Sequence, residues 1–596
     1  MAERTQILIC GGTGCLSSKS DLIKAEFDKQ LTDLGIRNEV RLVLVGCFGL
    51  CEKGPVVVTY PDEIFYAHMT VADVKEICEE HILKGRVVKR KVVKGAIEED
   101  TIKTLKELAF YEPQERIALR NCGVIDPLQI DEYIAREGYI SMATMLKEMS
   151  PQDVIDVIKE SGLRGRGGGG FPTGLKWQFA KNNDSDQKYV ICNADEGDPG
   201  AFMDRAILEG DPHTVLEAMA ICGYAIGATE GYVYIRAEYP LAIKRLKNAI
   251  AQANEYNLLG KDIFGSGFDF NIKLKYGAGA FVCGEETALI NSMEGNRGEP
   301  KSKPPFPAEQ GYWKKPTNVN NVETYANIPI ILEKGAKWFR SFGTEKSPGT
   351  KVFSLAGKIN NVGLIEVPMG TTLREVIYDI GGGIVDGKNF KAVQTGGPSG
   401  GCLTVDDLDT PIDFDTLIAK GSMMGSGGMI ILDEDDCMPA IAKFYLEFTQ
   451  EESCGKCTPC RIGTRRLLEL LENITSGKGD AFSIKELRRL STVIKETSLC
   501  GLGQSAPNPI LSTLDKFEDE YIAHIKKKSC PAHQCTDLIQ VLIDPNECIG
   551  CTACKRVCPV DCITGDVKKV HSISQIDCTK CKACYDACKF DAIVIR

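Results

Sequence analysis

Apolar residues recur along this chain with two periods, and the switches between them divide it into segments. Alternating, strand-like runs (QILIC, VRLVLVGC, PVVVTY) are interleaved with helical patterns at 19–34 and 71–82. That βαβ-type order predicts a small α/β domain over 1–85. A basic, polar stretch, KGRVVKRKVVKGAIEED, reads as part of a linker over 86–109. The longest segment, 110–335, opens with an interrupted helical pattern and carries glycine-rich stretches at 162–174 and 277–284. Short strands and turns (KVFSLAG, GLIEVP, FKAVQTGGPSGG) predict a β-rich module over 336–430, and apolar helical periodicity in IAKFYLEFTQ and RRLLELLENI predicts a helical domain over 431–526. The last segment, 527–596, repeats on itself: CIGCTACKRVC returns thirty residues later as CTKCKACYDAC.

A chain of 596 residues is too long for one core, and 43% hydrophobic with 26% charged residues is ordinary for soluble protein. No run of about 18 apolar residues is present, and the N-terminus lacks a secretory apolar core, so a cytoplasmic protein without a membrane span is expected. A net charge of −11 offers no footprint for nucleic acid. The cysteines change the picture. Twenty-six of them in a reducing compartment are not a disulfide framework, and sixteen fall into groups with metal-ligand spacing.

Cys548, Cys551, Cys554 and Cys558 form C-x2-C-x2-C-x3-C, and Cys578, Cys581, Cys584 and Cys588 repeat it. Three thiolates on one loop hold three irons of a cubane, and the fourth comes from the other half. Cys548, Cys551 and Cys554 are therefore expected with Cys588, and Cys578, Cys581 and Cys584 with Cys558; the segment resembles bacterial two-cluster ferredoxins. Cys454, Cys457 and Cys460, with Cys500 as fourth ligand, suit another [4Fe–4S] cluster, with structural zinc as the alternative. Cys10, Cys15, Cys47 and Cys51, two pairs at the ends of apolar strands, suit a [2Fe–2S] rhomb, and this segment resembles thioredoxin-like ferredoxins. Cys437, Cys530, Cys535 and His571 are candidates for a Cys3His zinc site joining the last two domains. Cys78, Cys122, Cys192, Cys222, Cys283, Cys402 and Cys562 stand singly and read as inert core thiols.

Residues 162–174, GLRGRGGGGFPTG, contain G-x-G-x-x-G, yet the match follows a helix where a dinucleotide fingerprint follows a strand. Ser150 is the expected N-cap, Pro151 sits at the first helical position, Asp153 faces the first-turn amides and Gly162 ends the helix. A loop of this composition turns backbone N–H groups toward a phosphate, with Arg166 and Lys176 adding charge. Asn193, Asp195, Glu196 and Asp198 end an apolar strand nearby, and Glu285 and Glu286 follow the second glycine turn.

Together GLRGRGGGGFPTGLKW, CNADEGDP, GEETALINSMEG, KPPFPA and TNVNNVET resemble the FMN- and NADH-binding subunit of respiratory complex I and its relatives, over about residues 110–525. The resemblance implies a multidomain α/β fold: a thioredoxin-like ferredoxin domain, a Rossmann-like FMN/NAD domain, a β-grasp (SLBB-like) module, a helical [4Fe–4S] domain and a C-terminal two-cluster ferredoxin domain. It implies FMN contacts from Gly165, Arg166, Gly167, Lys176, Asn193, Asp195, Glu196, Gly284, Glu285, Asn320 and Asn321. It implies NAD(P) contacts from Phe171, Lys176, Phe179, Glu196, Asp198, Glu286, Lys303 and Phe306, with the aromatics around adenine. Glu196, Lys176 and Glu286 are the candidates for catalysis. Asp198 and Phe281 stand where the respiratory pattern usually has Glu and often has Tyr, which leaves NAD versus NADP open. The flanking ferredoxin-like modules resemble those of the β subunit of soluble electron-bifurcating [FeFe]-hydrogenases. That likeness implies one FMN, one [2Fe–2S] and three [4Fe–4S] clusters. It also implies an [FeFe]-hydrogenase catalytic subunit, a small [2Fe–2S] subunit and soluble ferredoxin as partners, with a non-bifurcating NAD(P)H diaphorase subunit of a hydrogenase or formate dehydrogenase, or a mainly structural cluster scaffold, as alternatives.

Overall fold

The first strands form where β-branched and aliphatic residues alternate. Thr5–Cys10 pairs in parallel with Val40–Val45 and antiparallel with Val57–Tyr60, and Ile64–Tyr66 completes the sheet. The helix Ser20–Asp33 buries Ile23, Phe27 and Leu31, one stripe at four-residue spacing, and packs on the two parallel strands. A computed structural model of the chain describes residues 3–93, 97–98, 101–104 and 107–596. The linker expected over 86–109 thus lies partly outside the described residues. Its beginning belongs to the first sheet: Val88, Val92 and Val93 are buried, and the Val93 amide donates to the Phe65 carbonyl.

The chain folds into two compact units. The first comprises Met1–Lys388, Ala392–Ile431 and Glu452–Cys454. At its centre is a four-stranded parallel sheet in the order Thr317–Asn321, Tyr189–Ala194, Glu230–Arg236, Asn271–Gly277. Beside it, every residue of the helix Pro212–Ile226 except Tyr224 is buried, and its buried Glu217 is satisfied by the Tyr133 hydroxyl and the Tyr139 amide. Three strands are laid down in one direction, and Thr317–Asn321 then returns to the opposite side of Tyr189–Ala194. The carboxyl ends of those two strands therefore flank a topological switch point, where parallel α/β sheets leave an open crevice.

A five-stranded mixed sheet follows, ordered Gly363–Pro368, Thr350–Gly357, Gly428–Asp433, Phe390–Thr395, Gly401–Leu403. Two buried charges tie it to the central sheet's surroundings. Lys351 pairs with Glu323, their side chains 0% and 1% exposed, and Glu323 also accepts the Val352 amide at 2.9 Å. The Arg166 guanidinium donates to the carbonyls of Pro348 at 2.7 Å, Thr350 at 3.0 Å and Arg164 at 3.0 Å.

The second unit comprises Asn389–Lys391, Leu432–Glu451 and Gly455–Arg596. Its helices Met438–Glu451, Thr458–Thr475, Ser483–Thr497 and Asn508–Lys516 share a core of Leu446, Leu467, Leu471, Leu487, Ile494 and Ile510. In the terminal repeat the first strand pairs with the last, Val541–Ile543 with Ile593–Ile595, and the inner strands Ile563–Thr564 and Ser572–Ile573 pair with each other. Each half is thereby closed by the other. Among the described residues no helix is long and apolar enough to cross a membrane.

Candidate functional site

The helix Pro151–Ser161 begins at a capping box, Ser150 with Asp153, and ends at Gly162 in the left-handed region at φ 68°. The glycine loop then folds back on itself: the Gly165 amide donates to the Phe171 carbonyl and the Thr173 amide to the Leu163 carbonyl, both at 2.9 Å. It lies against the switch point, where a Cβ on Gly167 would come within 3.0 Å of Asn321 Cβ. Only a residue without a side chain allows that approach.

At the strand ends Asn193 donates to the Gly284 carbonyl at 2.9 Å, and Asn320 accepts from Trp177 at 3.0 Å. Asn321 caps the helix Val322–Ala326 through the Thr324 amide. Asp195 differs from its neighbours: both carboxylate oxygens are buried without a hydrogen-bond partner. Burial pushes its pKa up to about 7 despite the opposing Arg236, with Glu238 and Glu452 adding to the rise. A buried acceptor pair at the mouth of a crevice fits a polyhydroxylated chain whose O–H groups donate to it. Beside it, Asp198 is bonded by Ser426 and keeps Oδ1 unpartnered, and burial lifts its pKa to about 6.

Lys176, on the helix Thr173–Asn182, reaches Glu286 at 2.8 Å. Lys303 reaches Glu286 at 2.7 Å and Glu285 at 3.1 Å. Burial alone would raise the Glu286 pKa, but the two ammonium groups override it and hold it at about 2. Glu285 also caps the helix Glu286–Met293, accepting from the Thr287 and Ala288 amides. Phe171, Phe179 and Phe306 are 49%, 50% and 51% exposed, far more than the usual large aromatic, and the first two rings lie 6.4 Å apart. They offer an apolar platform, with Phe179 on the same helix as Lys176 and Phe306 three residues after Lys303.

Two of the side chains expected at the site are bonded within the protein. The Arg166 guanidinium is fully buried among backbone carbonyls and fastens the five-stranded sheet. Glu196 accepts the amides of Asp204 at 2.9 Å and Arg205 at 3.1 Å, anchoring the start of the helix Met203–Gly210. No sequence signal marks the far end of the same helix, where buried Glu209 accepts from the Thr13 amide at 3.0 Å, two residues before Cys15.

The thiols gather in separate groups. Cys10 meets both Cys15 and Cys47, and Cys47 Sγ lies 3.8 Å from Cys51 Sγ. Cys457 and Cys460 open the helix Thr458–Thr475, and Cys500 immediately precedes Gly501–Ser505, whose Gly503 packs on Cys460. Cys454 falls in the short run Glu452–Cys454 that belongs to the first unit. In the terminal repeat, one cavity is lined by Cys548, Cys551, Cys554 and Cys588 and the other by Cys558, Cys578, Cys581 and Cys584. The second cavity also contains Cys562, expected from the sequence to be an inert core thiol.

Cys437, Cys530 and Cys535 come together with His524, not with His571. All four are buried, and their ligand atoms lie within 4.8 Å of one another. His524 Nδ1 donates to the Glu520 carbonyl at 2.7 Å, which leaves Nε2 facing the cysteines at 3.3 and 3.4 Å. His571 instead lines the cavity of Cys548, Cys551, Cys554 and Cys588, with Nδ1 on the Lys569 carbonyl. No spacing rule separates the two histidines; the helical register that carries His524 inward does.

Comparison with known proteins agrees with this geometry. Residues 158–330 match the Nuo51 FMN-binding domain, 352–403 the SLBB domain, 440–524 the NADH-ubiquinone oxidoreductase-F iron–sulfur binding region and 541–564 the 4Fe–4S binding domain. The chain is 67% identical over 481 residues to the NADP-reducing hydrogenase subunit HndC of Solidesulfovibrio fructosivorans, covering 81% of this chain and 98% of that one. It is 45% identical over 424 residues to the F 2 subunit of NADH-quinone oxidoreductase of Rhizobium meliloti, covering 71% of this chain and all of the relative. Its backbone is similar to a chain of an NAD+-reducing [NiFe]-hydrogenase crystallised in the H2-reduced state, with a TM-score of 0.62 at 27% identity over 88% of this chain and 85% of that one. The chain belongs to the family of FMN- and iron–sulfur-containing oxidoreductase subunits that includes HndC and the F-type subunits of NADH-quinone oxidoreductase.

Proposed function

We propose that this chain is the flavin-bearing subunit of a soluble hydrogenase, and that electrons divide in it between NAD(P) and ferredoxin. The observation that carries the reading is one chain with a nucleotide crevice at a switch point and thiol groups on both sides of it in sequence. FMN, when bound, supplies the exchange between a two-electron hydride and single electrons. Asp195, Asn193 and Asn320 would receive its hydroxyls, and the Gly165–Gly170 loop with Asn321 its phosphate. Phe171, Phe179 and Phe306 would flank adenine. Lys176 and Lys303 would orient nucleotide phosphates, and Glu286 holds both ammonium groups in place until then.

Four cysteine groups are assigned as ligands: one [2Fe–2S] at Cys10, Cys15, Cys47 and Cys51, and three [4Fe–4S] at Cys454/457/460/500, Cys548/551/554/588 and Cys558/578/581/584. Cys437, His524, Cys530 and Cys535 are assigned to a zinc ion, since three buried thiols and one imidazole nitrogen within 4.8 Å of one another suit a structural site. An [FeFe]-hydrogenase catalytic subunit, a small [2Fe–2S] subunit and soluble ferredoxin complete the proposal. The likeness to HndC, which belongs to an NADP-reducing hydrogenase, supports a hydrogenase partner.

A coupled assay of the purified complex with H2 tests the branching. NAD(P) reduction should require ferredoxin; full-rate reduction without it would leave a single-path diaphorase subunit, the reading that the likeness to an NAD+-reducing hydrogenase favours.

A further inference from the structure

The two halves of the terminal repeat are related residue by residue, and among the several differences in the walls of their thiol cavities one changes the number of thiols. Four residues after the last cysteine of the first half stands Cys562; four residues after the last cysteine of the second half stands Ala592. Both positions are buried, 5% and 3% exposed, and both lead into a short strand. Ala592 lines the cavity that holds Cys548, Cys551, Cys554 and Cys588. Cys562 lines the cavity that holds Cys558, Cys578, Cys581 and Cys584. One cavity therefore has four thiols and its twin has five, although a cubane has four iron corners to ligate.

The fifth thiol is not at the edge of the group. Cys562 Sγ lies 3.4 Å from Cys558 Sγ, and it also meets the Cys578 thiol. It sits beside the one ligand that the first half contributes to this cavity, on the same stretch of backbone. A turn of chain that delivers Cys558 to an iron can deliver Cys562 to the same iron with a small local shift. Had the position required only a small apolar side chain, the alanine of its twin would serve equally.

We propose that Cys562 is a reserve ligand of the second cubane, able to take the iron that Cys558 holds. In the exchange the Cys558 Sγ–Fe bond breaks, the Cys562 Sγ–Fe bond forms, and the proton leaving the Cys562 thiol passes to the Cys558 thiolate. No electron moves and the cluster's charge is unchanged. The inference rests on the reading that this cavity holds a [4Fe–4S] cluster.

The test is iron and acid-labile sulfide content, with electron paramagnetic resonance of the reduced clusters, on full-length protein prepared anaerobically. C558A should keep the wild-type iron content and show altered g values for one cluster, while C558A/C562A loses the four irons of one cubane. C588A should lose four irons as a single variant, because Ala592 offers no thiol, and C588A/A592C should recover them. The proposal is overturned if C558A loses as much iron as C588A, or if C558A/C562A retains what C558A retains. Should wild-type protein lack the irons of this segment altogether, the cluster reading fails first and the reserve ligand with it; a loaded wild type with an empty C558A sinks the reserve ligand alone.

Discussion

Asp195 shows how one carboxyl group can define a site. Its oxygens have no partner within the protein, and burial raises its pKa to about 7 against an ordinary 3.8. In flavin-free protein the folded state therefore binds a proton between about pH 4 and 7 that the unfolded chain has released. The group's contribution to stability is full below pH 4 and is lost as pH rises through 7. D195N removes that loss, so flavin-free D195N should melt progressively higher than flavin-free wild type from pH 5 to pH 7. The same variant should bind FMN at least tenfold more weakly, since a charge-assisted hydrogen bond contributes on the order of 1.5–3 kcal/mol. Calorimetry and fluorimetric titration check the two halves; equal melting curves would show that Asp195 is already ionised. Asp195 was legible in the sequence as an acid after a buried strand. The fate of Arg166 was not, because only packing shows that three carbonyls surround its guanidinium.

Among the elements, local signals were the most readable. The Ser150 cap, Pro151 and the left-handed Gly162 appear where the side-chain chemistry of helix ends requires them. Long-range placements were silent, and the helix Met203–Gly210 is the clearest case. Its first amides are held by Glu196, and at its end Glu209 reaches the start of the helix Thr13–Ser17 that carries Cys15, so one short helix links Glu196 to the first thiol group. Its last residue meets Gly46 so closely that a Cβ there would stand 2.5 Å from the Gly210 Cα. G46A should destabilise the protein by about 1–3 kcal/mol, the usual cost of overpacking a rigid contact. G14A places its Cβ in open space within the helix Thr13–Ser17 and should be neutral or slightly stabilising. Thermal unfolding compares them; an unchanged G46A would mean that the two backbones can separate freely.

For the whole molecule the decisive measurement is metal content. Elemental analysis should find about fourteen irons per chain, from three cubanes and one rhomb, and one zinc. C530A should lose the zinc while keeping the iron, and so should H524A, whereas H571A should keep the zinc. A zinc content unaffected by both C530A and H524A would remove the site.

By itself the sequence determined the elements, the internal duplication and the number of cysteine groups, because periodicity, capping and ligand spacing act over a few residues. The tertiary structure alone decided which histidine meets Cys437, Cys530 and Cys535, where Arg166 and Glu196 point, and that Cys562 shares a cavity with four other thiols. Those facts depend on which faces of distant segments are pressed together. That is set by the burial of the whole core, and no local pattern records it.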